Sequence, residues 1–274
     1  MKVVCIFPVT FVAQNIQGIF EEFRKKIAPQ LISLGATGTE IKFAGTNYVF
    51  VPNNKEIIMD GEPKGKGILG CLKNVSDESY YVICCDGSGK IPYSKIVDVF
   101  QELISDSTIW CVMANRGKNK AIDEFRFLVE RFEVYSLKRC LEFSLDIPDG
   151  QCGLWGYNTG KFKHNGEEKE ITLTAEGYEI ELDLLSEVLS NELGFSFIDV
   201  ELPPHPSASS FKYENNLTKM KFFLKKYGSK NLKENIPKYL GEFEITESVK
   251  EKLEDTSLKE QWDKYKKDLL SITI

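Results

Sequence analysis

Residues 3–9, Val-Val-Cys-Ile-Phe-Pro-Val, are apolar without alternation, the pattern of a strand buried on both faces of a parallel sheet. Between Asn15 and Leu34, Ile16, Ile19, Phe20, Phe23 and Ile27 recur at spacings of three and four, which predicts an amphipathic helix closing near Gly35. Short β-like runs follow at 41–43, 48–51 and 57–59, broken by Gly45 and Pro52-Asn53-Asn54. A Gly- and Lys-rich turn at 61–67 leads into a helix over 68–74, and Tyr80–Cys85 is the clearest strand. The alternation continues with a tight loop at 86–92, a helix over 93–103, a strand over 108–114 and a long helix over 121–143. Residues 147–157 read as irregular or a short strand, and the polar stretch 158–170 as a mobile loop. A helix over 177–193 carries Ile180, Leu184, Val188 and Leu189 on one face, and a strand over 195–202 ends at Pro203-Pro204. Beyond Asn215 the pattern is helical, over 217–227 and 249–270. Repeated β-α order predicts an α/β fold with a mostly parallel sheet, helices on both faces and a C-terminal helical extension.

With 274 residues, 42% of them hydrophobic, the chain can bury a core without disulfide or metal support. The expected division is a first domain over 1–215 and an extension over 216–274. Seven cysteines, odd in number and mostly within apolar runs, fit reduced buried thiols and a cytoplasmic location. Without a CxxC pair, and with only His164 and His205, a Cys/His zinc site is not expected. The N-terminal apolar run is too short for a signal segment, and no run of ~18 uncharged apolar residues predicts a transmembrane span. A net charge of −6 argues against general nucleic-acid binding. Between Ser210 and Leu240, however, stand eight lysines and two glutamates. They read first as a solvated helix face, with peripheral contact to phosphate or lipid headgroups as the alternative.

Two segments hold candidate chemistry. Gly65-x-Gly67-x-x-Gly70 has the letters of a dinucleotide fingerprint but does not follow the first strand, and Gly61 to Gly65 is one residue too short for a Walker loop. Its turn can meet a phosphate through backbone N–H groups and Lys64 or Lys66, or simply start a helix. Asp86 stands at the C-terminal end of the clearest strand, where open parallel sheets place ligands. A carboxylate there can hold a divalent metal on a nucleotide's phosphates, or cap its own turn together with Ser88.

The order of several segments resembles family 2 glycosyltransferases, the polyprenyl-phosphate-mannose synthase branch especially. These are Ile6-Phe7-Pro8-Val9 with Asn15-Ile16, then Gly65-Lys66-Gly67, then Tyr81 through Asp86-Gly87-Ser88-Gly89-Lys90-Ile91-Pro92. Ala114-Asn115-Arg116 is similar to that family's Gly-Ser-Arg, Asp149-Gly150-Gln151-Cys152-Gly153 to its acceptor-side Asp…Gly segment, and the likeness ends with Gly177–Leu182 and Leu202-Pro203. It spans about residues 1–225. It implies a GT-A fold, a Rossmann-like sheet that binds a nucleotide diphosphate sugar. Pro8, Lys66, Asp86, Gly87, Ser88 and Arg116 would line the donor, Asp86 would contact ribose or a Mg²⁺ or Mn²⁺ ion, and Asp149 or Glu181 would be the base for an acceptor hydroxyl, Asp149 first.

The chain departs from that pattern at four places, one being the family's acidic loop after its second strand, which has no counterpart here. Thr10-Phe11-Val12-Ala13-Gln14 stands where the family has Asn-Glu, Ser88 replaces the second Asp of Asp-x-Asp, and Ser207–Lys212 lacks the branch's Arg and Gly. With Asp86 alone, weaker metal binding or metal-independent chemistry would follow. The expectation is therefore a sugar transferase using a nucleotide-sugar donor and an unidentified acceptor; the alternative is a degenerate module that binds a nucleotide, sugar or protein without turnover. Nucleotidyl transfer onto a sugar phosphate would need a Gly-rich first turn, which is absent.

Overall fold

A computed structural model of the chain describes residues 1–9, 16–45, 48–51, 55–58, 64–73, 80–117, 124–144, 146–202, 213–226 and 230–273. The candidate segments 10–15, 61–63 and 207–212 lie outside the described residues. By contact, the chain forms two compact units, one of residues 1–117 with 151–202 and one of 118–150 with 203–274.

The first unit begins with β1 (Lys2–Pro8), whose residues Val3 to Phe7 are fully buried. Helix α1 (Ile16–Glu22) runs through a π-helical turn (Phe23–Ile27) into α2 (Ala28–Ser33). The wide turn ends where Pro29, which has no N–H to give, enters the first turn of α2. Gly35, at φ +103°, closes the helix as its position predicts. Next come β2 (Gly38–Ala44), β3 (Tyr48–Val51), β4 (Lys55–Ile58), α3 (Lys64–Lys73), β5 (Tyr80–Cys85), α4 (Lys95–Ser105) and β6 (Ile109–Asn115). The second unit interposes α5 (Glu124–Cys140), after which the first resumes with β7 (Leu154–Asn158), β8 (Phe162–His164), β9 (Glu167–Lys169), α6 (Ile180–Ser190) and β10 (Gly194–Asp199).

Eight strands form one sheet in the order β10-β6-β7-β5-β1-β2-β3-β4. The pairs β10/β6, β5/β1 and β1/β2 are parallel. This is the expected α/β architecture, a mostly parallel sheet flanked by helices. Two local expectations change and a third, left open, is decided. Helix α3 starts at Lys64, so the Lys-Gly-Lys-Gly run forms its first turn rather than a loop before it. Of the two readings of 147–157 the short strand holds: it is β7, a central antiparallel strand between β5 and β6 whose Trp155 is fully buried. The polar stretch 158–170 is a hairpin of β8 and β9 instead of a mobile loop. Its Asn165-Gly166 turn has φ of +53° and +82°, the left-handed pair that a two-residue hairpin requires.

The second unit is helical: α5, α7 (Tyr213–Lys226), α8 (Lys230–Glu244), α9 (Glu247–Lys252) and α10 (Thr256–Thr273). The helix expected over 249–270 is two, divided where the Asp255 carboxylate accepts the Leu258 N–H at 2.9 Å and so starts α10. Residues 118–150, expected in the first domain, cluster with 203–274 because α5 buries its aromatic face there. Phe132 lies 5.4 Å from Phe243 and 5.8 Å from Trp262, and Phe125 lies 6.4 Å from Tyr265, all edge-on. The basic segment falls on α7 and α8, where Lys221, Lys225 and Lys238 are exposed but Lys219 is buried. No described helix is long and apolar enough to cross a membrane.

Tyr265 is fully buried, and its hydroxyl has no hydrogen-bond partner among the described residues. Because an unpaired buried hydroxyl is costly, Tyr265→Phe is expected to raise unfolding stability by about 1 kcal/mol. A denaturation midpoint below that of the wild type would show that the hydroxyl has a partner in solution.

Candidate functional site

Strand β1 is followed in the sheet by β2 on one side and by β5 on the other, so the crossovers diverge from the β1/β5 boundary. Open α/β sheets bind ligands beyond the C-terminal ends of strands at such a divergence. Here the two strand ends are tied together: the Gly87 N–H donates to the Pro8 carbonyl at 2.9 Å, and the Tyr93 hydroxyl donates to the Gly87 carbonyl at 3.0 Å.

Asp86 directly follows β5. Its N–H donates to the Gly153 carbonyl at 2.8 Å, and its carboxylate lies flat over Gly153 at the entry to β7. A Cβ at 153 would stand 2.1 Å from Asp86 Oδ2, so only glycine fits beneath the carboxylate. The side chain is 39% exposed and Oδ1 accepts the Lys64 ammonium at 2.8 Å. Lys64 Nζ also donates to Glu181 Oε1 at 2.5 Å. Lys64 and Glu181 are themselves buried, with side chains 10% and 6% exposed. Burial pulls the ammonium's pKa down, but the charges of Asp86 and Glu181 outweigh it and hold Lys64 well above the ordinary lysine range. The cation is permanent at any physiological pH.

This lysine is held by backbone as well as by charge. The first-turn N–H groups of Gly65 and Lys66 donate to the carbonyls of Gly177 and Glu176, at 3.2 and 2.7 Å. The loop before α6 that accepts them is fixed in turn by Asp183, whose Oδ2 takes the N–H groups of Thr174 at 2.6 Å and Ala175 at 2.8 Å. The glycine-rich helix start therefore spends these donors inside the protein, and the expectation that they meet a phosphate is corrected.

The structure thus brings Pro8, Asp86, Gly87 and Glu181 to one place, with Lys64 rather than Lys66 at its centre. Lys66 sits one residue further along the helical turn, partly buried. Ser88 is exposed on the 86–92 turn, its Oγ accepting the Lys90 N–H at a long 3.5 Å. Arg116 is buried at the end of β6, two strands from β5 and so about 10 Å across the sheet. Beside it, Asn115 donates to Asp199 at 2.8 Å and accepts the Gly117 N–H at 2.9 Å. Asp149 belongs to the second unit, where Arg131 donates to the neighbouring carbonyls of Ile147 and Pro148.

The donor set fits a divalent metal poorly. Asp86 Oδ1 is taken by an ammonium, the position of a second acid is Ser88, and among the described residues no group of three His, Cys, Asp or Glu side chains could hold an ion. The sequence left Lys64 and Lys66 open and the resemblance singled out Lys66, because the two flank the same glycine. Only the register of the helix decides which one faces Asp86.

The fold is that of the GT-A glycosyltransferases. The chain is similar to crystal structures of glucosyl-3-phosphoglycerate synthase from Mycobacterium tuberculosis. In complex with phosphoglyceric acid, that protein is 13% identical with a TM-score of 0.53, over 83% of this chain and 80% of that one. In complex with Mn²⁺, uridine-diphosphate-glucose and phosphoglyceric acid it is 12% identical with a TM-score of 0.54, over 83% and 80%. Identities this low establish the fold alone. No protein-family model matches the chain, and no curated protein matches it.

Proposed function

We propose that the chain is a glycosyltransferase-like protein that binds a nucleotide diphosphate sugar at the β1/β5 strand ends and transfers the sugar to an acceptor hydroxyl. The observation that carries this reading is Asp86: a part-exposed carboxylate at the divergence of a GT-A sheet, braced by Gly153 and Lys64. The similar fold of the mycobacterial synthase, whose crystal structures hold uridine-diphosphate-glucose, supports the donor class. In this reading Asp86 accepts hydrogen bonds from the ribose hydroxyls, the backbone of Pro8 and Gly87 shapes the floor, and Lys66 and Arg116 are the cations for the diphosphate. The resemblance to polyprenyl-phosphate-mannose synthases gives Asp149 the role of base. Glu181, the other candidate, is buried and spends an oxygen on Lys64, which suits a positioning group better than one that must reach an acceptor hydroxyl.

A second reading, a module that binds the donor without turnover, is favoured by Ser88 in place of an acid and by the commitment of Glu181 to Lys64. A thermal-shift screen against uridine, guanosine, cytidine and thymidine diphosphate sugars tests both, since a ligand of the folded state raises apparent stability by mass action. One donor should raise the midpoint, and Asp86→Ala should abolish that shift. Release of the nucleoside diphosphate, lost in Asp149→Asn, would support transfer; binding without release would leave the second reading. No shift with any donor would overturn both.

A further inference from the structure

We propose that the Lys64 ammonium stands in for a divalent cation at the end of β5, so that a nucleotide diphosphate is bound there without Mg²⁺ or Mn²⁺; the nucleotide half of this rests on the reading above.

Lys64 lies between two carboxylates of different origin. Asp86 comes from the end of β5 and Glu181 from the first turn of α6, and Nζ meets their oxygens at 2.8 and 2.5 Å. A cation between two carboxylates beside a sheet's ligand edge is the arrangement a bound metal would make, and here the chain supplies it. An ion on Asp86 Oδ1 would need about 2.1 Å to that oxygen. That would set a double positive charge beside the ammonium already hydrogen-bonded there.

Lys64 cannot easily yield. It heads α3, whose start is tied to residues 176–177 by two backbone hydrogen bonds, and Gly65 lies so close to the Ala175 carbonyl that a Cβ would come within 2.3 Å of it. Displacing the ammonium would also strand Glu181, 6% exposed, without its counter-charge. Ser88, exposed and neutral at the position of the second acid, adds no charge to favour an ion. Asp86 keeps a 39% exposed side chain, so the lysine fills the cation's place without closing the strand ends to a ligand.

The test is Mn²⁺ binding by electron paramagnetic resonance on the whole chain, without nucleotide, alongside nucleotide-induced thermal shifts in chelator and in Mn²⁺. Wild type should show no saturable Mn²⁺ site at millimolar metal. Lys64→Met, which keeps the stem and removes the charge, should bind Mn²⁺ about tenfold tighter or more, and adding Asp86→Asn should remove the gain. Any nucleotide shift should be the same size in chelator as in Mn²⁺. A wild-type Mn²⁺ site lost in Asp86→Asn would overturn the proposal, as would a folded Lys64→Met that binds no Mn²⁺. If Lys64→Met does not fold, the wild-type and Asp86→Asn titrations decide alone. Absence of every nucleotide shift would refute the donor reading while the Mn²⁺ titrations still judge the lysine.

Discussion

Lys64→Met should lower the stability of the protein by about 3 kcal/mol, the lower end of the range for removing one partner of a buried ion pair. The lower end applies because Asp86 is 39% exposed and water can take over its charge, whereas Glu181 is 6% exposed and has no such recourse. For a unit of this size the loss corresponds to a fall in Tm of about 6–12 °C. Adding Glu181→Gln should restore part of it, because the stranded charge is then gone, and the coupling in that double-mutant cycle measures the pair directly. The pH dependence has a definite sign. The folded-state pKa of Lys64 is raised, so its contribution is complete below the unfolded value of about 10.4 and is lost only as pH climbs through the higher folded value. The difference between wild type and Lys64→Met should therefore be constant from pH 7 to 10 and shrink above that window. A Tm within about 2 °C of wild type at pH 7 would show that Glu181 is hydrated in solution and that the ion pair carries little.

Two-sided burial made some strands of the sheet legible in the sequence, though not all. Strands β1 and β5 are unbroken apolar runs because helices or neighbouring strands cover both their faces, and no helix period competes with that reading. Strand β7 was left open between an irregular segment and a short strand. Leu-Trp-Gly-Tyr-Asn is short and interrupted by Gly156, whose missing side chain makes room for Val99 and the Val82 carbonyl. A residue chosen for what it lets approach leaves no periodic trace. The hairpin at 162–169 was hidden for another reason: β9 is Glu-Glu-Lys, with no apolar alternation, and only the Asn165-Gly166 turn announces it.

The candidate site was legible as a position and not as an assembly. Asp86 could be picked out because a strand end is visible in sequence, and Pro8 and Gly87 do meet there. What the lone carboxylate does depends on residues far along the chain. Glu181 is 117 positions from Lys64, and Gly153 becomes meaningful only once a carboxylate is seen lying on it. Three acids of one segment, Glu179, Glu181 and Asp183, look alike in sequence and act differently. Glu179 accepts the Gly177 N–H, Glu181 holds Lys64, and Asp183 fixes 174–175. Their division of labour follows from where the start of α6 lies, which hydrophobic spacing locates only to within a few residues.

The same chain of support makes Gly65→Ala the most damaging glycine substitution at the site. A Cβ at 65 would lie 2.3 Å from the Ala175 carbonyl oxygen, 2.6 Å from the Glu176 carbonyl carbon and 2.8 Å from the Gly177 nitrogen. All three are backbone atoms, and Asp183 holds the preceding N–H groups, so the segment cannot step aside cheaply. Overpacking of this kind costs about 1–3 kcal/mol, and loss of the two hydrogen bonds from Gly65 and Lys66 adds about 1 kcal/mol each. The expected total is about 3–5 kcal/mol, read as a shift of the denaturation midpoint. Gly153→Ala makes the useful contrast. The three atoms nearest its Cβ all belong to the Asp86 carboxylate, the first at 2.1 Å, and a part-exposed side chain can swing into water where backbone cannot. Gly153→Ala should therefore cost less stability than Gly65→Ala while pulling Asp86 off Lys64, so that any nucleotide-induced shift disappears from a protein that remains folded. Equal stability losses in the two variants would mean that Asp86 is as rigid as the backbone. A retained nucleotide shift in Gly153→Ala would remove Asp86 from the binding site.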